Sequence, residues 1–378
     1  MGGSHRRVPS VIYNPSVPSV KRIGILTAGG DCPGLNAVIR AVVKGALHRD
    51  SPIEVVGILD GYSGLVEDRL QALTESDVSG ILVRGGTILG TTNRDNPFQY
   101  TGDSNTDPID RSKEAIATIE RHRLDGIIAV GGDGTLRCAM EFGKRGVPVI
   151  GVPKTIDNDI SGTDVTFGFD SALTCATDAV DRLHSTAESH HRVLICEVMG
   201  RYAGWIALHA GMAGGGDIIL IPEIPYSIEK ICDSIRLREK RGRNFSIIVV
   251  AEGAKPLGGK YVTHGHYRGM DKRPRLGGIS HQIADEIEET MNDEVRVVIL
   301  GHLQRGGTPT AFDRWLATHF GVRAVILAEQ QKWGQMVALK GTHFGDLPIA
   351  EAVGQLRRVD PKGGSVMAAR AVGTSFGD

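Results

Sequence analysis

Residues 151–159 read GVPKTIDND, which places Lys154, Thr155, Asp157 and Asp159 close together, directly after a short apolar run. Two acids one residue apart, with a lysine three positions before the first, suit the transfer of a phosphoryl group. That chemistry asks chiefly for positioning and charge neutralisation, so a carboxylate of modest basicity among cations is adequate. Asp157 could accept the proton of an attacking hydroxyl while Asp159 helps to arrange metal and water. Lys154 and Arg201 would balance the developing negative charge. The same residues also fit an Asx-turn with a surface ion pair, a common use of Asn/Asp-rich loops.

Other loops bear on the choice. In GGDGT (131–135) two glycines let the chain approach a polyphosphate, Asp133 can hold Mg²⁺ directly or through water, and Thr135 would cap the following helix. A plain turn explains the glycines but not their repeat around an acid. Gly29-Gly30-Asp31 can turn backbone N–H groups toward a phosphate at a helix N-terminus, although tight turns need glycine in any case. Neither GxxxxGK[ST] nor GxGxxG occurs. Arg192, Arg201, Arg296 and Arg305, with His302, suit a phosphorylated substrate, because guanidinium forks grip phosphate with two bonds. Glu252 can accept hydrogen bonds from sugar hydroxyls. Any one of these is ordinarily a solvated or paired side chain; their joint occurrence at strand ends points to a site.

The elements that must position them repeat one rhythm: apolar run, Gly-rich loop, helix. RIGILT (22–27) leads into AGGDCPG and the helical NAVIRAVVKGAL; DGIIAV (125–130) into GGDGT and a helix from Leu136. VPVIGVP precedes the acid loop and a helix around 170–187, and VLICEVM (193–199) precedes GRYAG and WIALHAGMA. DIILIPE, FSIIVVAEG and VRVVILGH continue the series. Near-continuous Val/Ile runs alternating with helices predict α/β architecture: two doubly wound lobes with mainly parallel sheets. Ligands of such sheets bind beyond the carboxyl ends of the strands, where the unusual loops fall. Residues 91–110 and 253–278 read as surface insertions.

At 378 residues the chain exceeds one core of about 150 residues, and 41% apolar residues exclude wholesale disorder. A net charge of −1 advertises neither nucleic acid nor an anionic membrane. Five cysteines without CxxC spacing fit reduced thiols, and thirteen histidines form no HExxH. Residues 1–20 hold three prolines and no apolar h-region, so they read as a mobile tail and not a signal peptide. No apolar stretch is long enough to span a membrane. A cytoplasmic protein is expected.

Together, AGGDCPGLNAVIR, GGDGT, PKTIDND, HHRVLICEVMGRYAG, AEG and LGHLQRGG resemble the 6-phosphofructokinase family, in order, from about residue 21 to the 330s. The resemblance implies phosphate transfer to the 1-hydroxyl of fructose 6-phosphate, giving fructose 1,6-bisphosphate. Asp157 then matches the catalytic base, Thr155 and Arg201 match transition-state contacts, and Asp133 matches the Mg²⁺ ligand. Thr155, Ile156, Asp157, Met199, Gly200, Arg201, Glu252, His302, Leu303, Gln304 and Arg305 fall on the sugar-phosphate side. Arg192 and Arg296 match arginines contributed by a neighbouring subunit, which implies a homo-oligomer, a tetramer by family. Gly30, Tyr62 and Gly132 to Thr135 match the nucleotide side, with the donor-contacting arginine falling at Asn93 and Arg94 one place later. The implied lobes are 21–168 plus about 304–355 for nucleotide and 169–303 plus about 356–378 for sugar phosphate. Arg40, Lys44, Asp217, Arg241 and Arg243 fit an effector pocket, although His184 stands where an arginine is expected.

Two positions separate ATP from pyrophosphate donors in this family. Gly134 leaves room for the α-phosphate and nucleoside of ATP, where an aspartate would crowd and repel them. Lys154 is the residue of pyrophosphate users. Because steric exclusion outweighs a lysine that can serve either donor, ATP is the expected donor and pyrophosphate the alternative. An inactive, sugar-phosphate-sensing subunit is the non-enzymatic reading, and intact Asp133, Asp157 and Arg201 argue against it.

Overall fold

The computed structural model describes residues 20–92, 96–101, 107–266, 274–291 and 293–378. The stretch 1–19, Asn93 and Arg94 lie outside them. The chain runs through β1 (Arg22–Thr27), α1 (Leu35–Leu47), β2 (Glu54–Ile58), α2 (Tyr62–Val66), β3 (Leu70–Leu73) and α3 (Ser112–Arg121). It continues through β4 (Gly126–Gly131), α4 (Asp133–Lys144), β5 (Val149–Pro153), α5 (Phe169–His190), β6 (Val193–Val198) and α6 (Trp205–Ala213). Next come β7 (Ile218–Leu220), α7 (Ile228–Lys240), β8 (Ser246–Ala251), β9 (Thr263–His266), β10 (Pro274–Leu276) and α8 (Ile279–Met291). The last elements are β11 (Val295–Ile299), α9 (Ala311–Glu329), β12 (Gln335–Lys340), β13 (His343–Pro348), α10 (Ile349–Ala352) and α11 (Gly364–Ala371).

Seven strands form one sheet in the order β13-β12-β5-β4-β1-β2-β3, with antiparallel pairing only at its two edges. Four more form a parallel sheet, β11-β6-β8-β7, and β9 and β10 make a small antiparallel pair. The architecture is α/β with mainly parallel sheets, as the Val/Ile runs predict. Alternation explains why those runs are apolar throughout. In β4, Ile127 and Ala129 enter the core on one face while Ile128 and Val130 enter the core on the other. In β8, Ile247 and Val249 face one core and Ile248 and Val250 another. One continuous core joins the two sheets, uniting residues of α1 and α9 on the first with residues of α5 and α6 on the second.

The chain passes from β1 to β2 on one side, whereas β4 and β5 lie on the other. A crevice therefore opens between the carboxyl ends of β1 and β4. Sequence reading starts α4 at Leu136 with Thr135 as its cap. In the structure the helix begins at Asp133 with Gly132 at the cap position, making no side-chain cap bond, and Thr135 lies inside the first turn. No helix among the described residues is long and apolar enough to cross a membrane.

Candidate active site

Two glycine loops meet at the crevice. Ala28 N–H donates to Val130 O at 3.0 Å, which sets the loop after β1 beside the loop after β4. Lys154 N–H donates to Gly131 O at 3.0 Å, adding the acid loop after β5. The Lys154 side chain is 3% exposed, and its ammonium donates to Gly30 O. A Cβ on Gly29 would lie 3.6 Å from both Lys154 Nζ and Thr135 Oγ1, so these groups converge under the loop. Tyr62 is buried, stacks on Phe142 at 5.7 Å and donates its hydroxyl to Thr135 O at 2.8 Å, pinning the first turn of α4. Gly134 differs from its neighbours: a Cβ there would meet nothing within 4 Å.

The acid loop is folded by its own polar side chains. Asp157 N–H donates to Thr155 Oγ1 at 3.1 Å. Asn158 takes a left-handed conformation, φ 52°, and its buried Oδ1 accepts from Thr166 N at 3.1 Å. Thr166 Oγ1 donates to Thr155 O at 2.8 Å, closing the loop onto the segment before α5. Asparagine tolerates this conformation better than most residues. Ile156 is fully buried in the core, so only its backbone is available to a ligand.

The second sheet presents its own strand ends. Gln304 is buried, accepts from Met199 N at 3.3 Å and donates to Gly301 O at 3.1 Å. Gly253 N–H donates to Gly200 O at 3.1 Å, which brings Glu252 beside the Met199–Arg201 loop. Arg305 Nη1 donates to Asp31 O at 3.0 Å, and a Cβ on Gly30 would come within 2.7 Å of it. This arginine therefore spans from the second sheet to the first glycine loop.

Charges concentrate where these ends meet. Asp157 Oδ1 is buried without a hydrogen-bond partner. Burial pushes the Asp157 carboxyl above its usual range, against the pull of Arg305, Lys154 and Arg201. Burial and then the adjacent Asp157 push Asp159 up to about 7. Glu252 is likewise raised to about 7, by burial and then by Asp157 and Glu197. Burial pulls the Lys154 ammonium down. Asp133 accepts from Arg137 Nε at 2.7 Å and from Gly354 N at 3.2 Å, and its charge reaches Asp159.

The phosphofructokinase family model matches residues 22–328. The chain belongs to the phosphofructokinase family. It is 53% identical over 363 residues to an ATP-dependent 6-phosphofructokinase of Chloroflexus aurantiacus, covering 95% of this chain and 98% of that one. A Clostridium perfringens protein named ATP-dependent 6-phosphofructokinase 2 is 49% identical over 366 residues, covering 95% of this chain and 99% of that one. Among solved structures, phosphofructokinase from Saccharomyces cerevisiae superposes with a TM-score of 0.72 at 32% identity, covering 88% of this chain. This chain spans 45% of the yeast one.

Other residues that the phosphofructokinase resemblance nominates lie elsewhere. Arg192 and Arg296 both pair with Glu294, at the amino ends of β6 and β11. Met199 to Arg201 follow the carboxyl end of β6, about 20 Å away along a six-residue strand. His302 and Leu303 face solvent, Leu303 at 69% exposure. Of the effector candidates, Lys44 on α1 pairs with Glu75, and Arg40 lies near the same carboxylate. Asp217 instead pairs with Arg238 at 2.6 Å and accepts from Ile247 N at 2.8 Å, with His184 and Arg243 nearby and Arg241 exposed. Sequence reading missed Glu75 and Arg238, as well as the Asn158–Thr166 contact and residues 354–359 at the acid loop. No motif marks them; only the asparagine between the two aspartates hints at a left-handed turn.

Proposed function

We propose that this phosphofructokinase-family chain transfers the γ-phosphate of Mg·ATP to the 1-hydroxyl of D-fructose 6-phosphate, giving fructose 1,6-bisphosphate. The observation that carries the reading is Asp157: a carboxylate with one oxygen buried and unpartnered, surrounded by Lys154, Arg201 and Arg305. An unpaired buried acceptor of this kind is costly unless a ligand completes it, and a hydroxyl proton would do so. Asp157 accepts that proton as the oxygen attacks, and the nearby cations hold the charge that develops on the transferring group. Thr155 fixes the loop through the Asp157 N–H. Met199, Gly200, Glu252, Gln304 and Arg305 form the sugar-phosphate side; Gly30, Gly132 and Thr135 form the nucleotide side.

Among the described residues no three His, Cys, Asp or Glu side chains form a ready metal cage. Mg²⁺ needs none, since it is commonly held by one or two carboxylates together with phosphates and water. Asp133, with Asp159 near it, fits that demand, and the ion when bound neutralises phosphate charge.

Gly134 supports ATP as donor. The fold does not need a glycine there: its backbone is not left-handed and a side chain would meet no neighbour. A glycine that neither backbone conformation nor packing requires leaves open space at the start of α4, which a ligand can occupy. The names of relatives at 53% and 49% identity support the same donor. Lys154 favours pyrophosphate as the second reading, yet a lysine can serve the transferring phosphate of either donor, and only one of its three N–H donors goes to Gly30 O. Arg192 and Arg296 complete the sugar-phosphate site from a neighbouring subunit of a cytoplasmic homo-oligomer. Replacing Asp157 by Asn should lower kcat by about 10²–10⁴-fold while sparing sugar-phosphate affinity. A wild-type rate in that variant would refute its role as base.

A further inference from the structure

The segment after α10 carries none of the family motifs and lies beyond the 22–328 match, yet it touches the acid loop repeatedly. Gly354 N–H donates to Asp133 Oδ1 at 3.2 Å. Gln355 O accepts from Ser161 Oγ at 2.6 Å, and Leu356 bridges to Ile160 as in an antiparallel pair. Arg357 then makes the central contacts. Its N–H donates to Asp159 O at 2.8 Å and its Nη1 donates to Asn158 O at 3.1 Å. Its guanidinium lies over the Trp205 ring at 4.3 Å, while Trp205 Nε1 donates to Arg357 O at 2.9 Å. Val359 N–H donates to Glu223 Oε1 at 2.8 Å, and the same carboxylate accepts from Gly204 N. Trp205 and Gly204 begin α6, immediately after the loop that holds Arg201.

We infer that Gly354–Val359 is a positioning strap, with Arg357 at its centre, which fixes the acid loop against Asp133 and against the Arg201 loop. The strap joins three loops that come from β4, β5 and β6, in two different sheets. Asn158 is held in a left-handed turn, a conformation asparagine tolerates but which surrounding contacts must still select over the commoner ones. Arg357 supplies two such contacts, one from its backbone and one from its side chain, and the stacked indole restricts the guanidinium to the pose that reaches Asn158 O. Arg357 does not itself touch the Asp157 carboxylate in this arrangement; it acts through the loop backbone. A misplacement of about 1 Å can cost a reaction about 10²-fold, so the strap should be felt in turnover more than in binding.

The inference rests on the proposed reaction, and its test separates the two. Steady-state kinetics with fructose 6-phosphate and Mg·ATP are measured on the full chain, beside hydrogen exchange of the Thr155–Ile160 amides. Arg357→Ala should lower kcat by about 10–100-fold, keep both KM values within about threefold, and speed exchange in that loop. Arg357→Lys, which keeps one donor but not the planar stack, should fall between. Trp205→Phe keeps a ring and removes the donor to Arg357 O, so it should reduce kcat severalfold; with the lysine variant it decides the matter if Arg357→Ala does not fold. The exposed Lys362→Ala serves as the unchanged control. Unchanged kcat and exchange in the Arg357 and Trp205 variants would overturn the strap, as would a shift in melting temperature alone. A wild-type chain without turnover would count against the reaction, while the exchange pattern would still decide the strap.

Discussion

Asp157 and Gly134 do opposite things for a ligand, one supplying a reactive oxygen and the other supplying room. Since Asp157 must be ionised to accept a proton and burial raises its pKa, kcat/KM should rise with pH. The acidic limb should lie above the ordinary carboxylate range, at an apparent value that belongs to the coupled Asp157–Asp159 pair. A limb near 4, measured with saturating Mg·ATP, would contradict the burial argument. Gly134→Asp should fold normally, because an acid in the first turn of α4 is favoured by the helix dipole, and should raise the KM for ATP by an order of magnitude or more. Unchanged ATP kinetics would defeat the steric argument. Asp157 was readable as a candidate base from type and spacing, whereas the donor role of Gly134 came only through the family resemblance. The engagement of Lys154 with Gly30 O was not readable, because it depends on two loops that only the sheet brings together.

At the scale of elements, Asp313 shows how α9 is tied to α5. It sits in the first turn of α9, is fully buried, and accepts from Ser171 N at 2.8 Å and Ser171 Oγ at 2.6 Å at the start of α5. Burial raises its pKa to about 6. A carboxyl that holds its proton more tightly when folded contributes stability that is complete below the unfolded pKa and lost as pH rises through the folded one. Wild-type melting temperature should therefore decline between about pH 4 and 6 relative to Asp313→Asn; parallel curves for the two proteins would rule out this coupling. The sequence showed β1 and α6 to the residue, since a Val/Ile run before glycine and a compact apolar helix leave little freedom. It did not show β3, β12 or β13. Those strands flank or form the sheet edge, where HFGDLP and LQAL need no continuous apolar run.

For the whole molecule, one chain holds Arg192 and Arg296 at the end of the second sheet away from Arg201 and Glu252. The edge strand β11 also exposes Val298 and Ile299, at 36% and 47%. If neighbouring subunits complete the sugar-phosphate site, Arg192→Ala and Asp157→Asn chains, each weak alone, should regain part of the wild-type activity when refolded together. No recovery in mixed oligomers would mean that Arg192 acts within its own chain and not across a subunit interface. The central claim concerns the reaction and its donor, and a coupled assay for fructose 1,6-bisphosphate tests it most directly. With fructose 6-phosphate present, the purified chain should turn over with Mg·ATP and show little product with Mg·pyrophosphate; product from pyrophosphate but not from ATP, or from neither, would contradict the account.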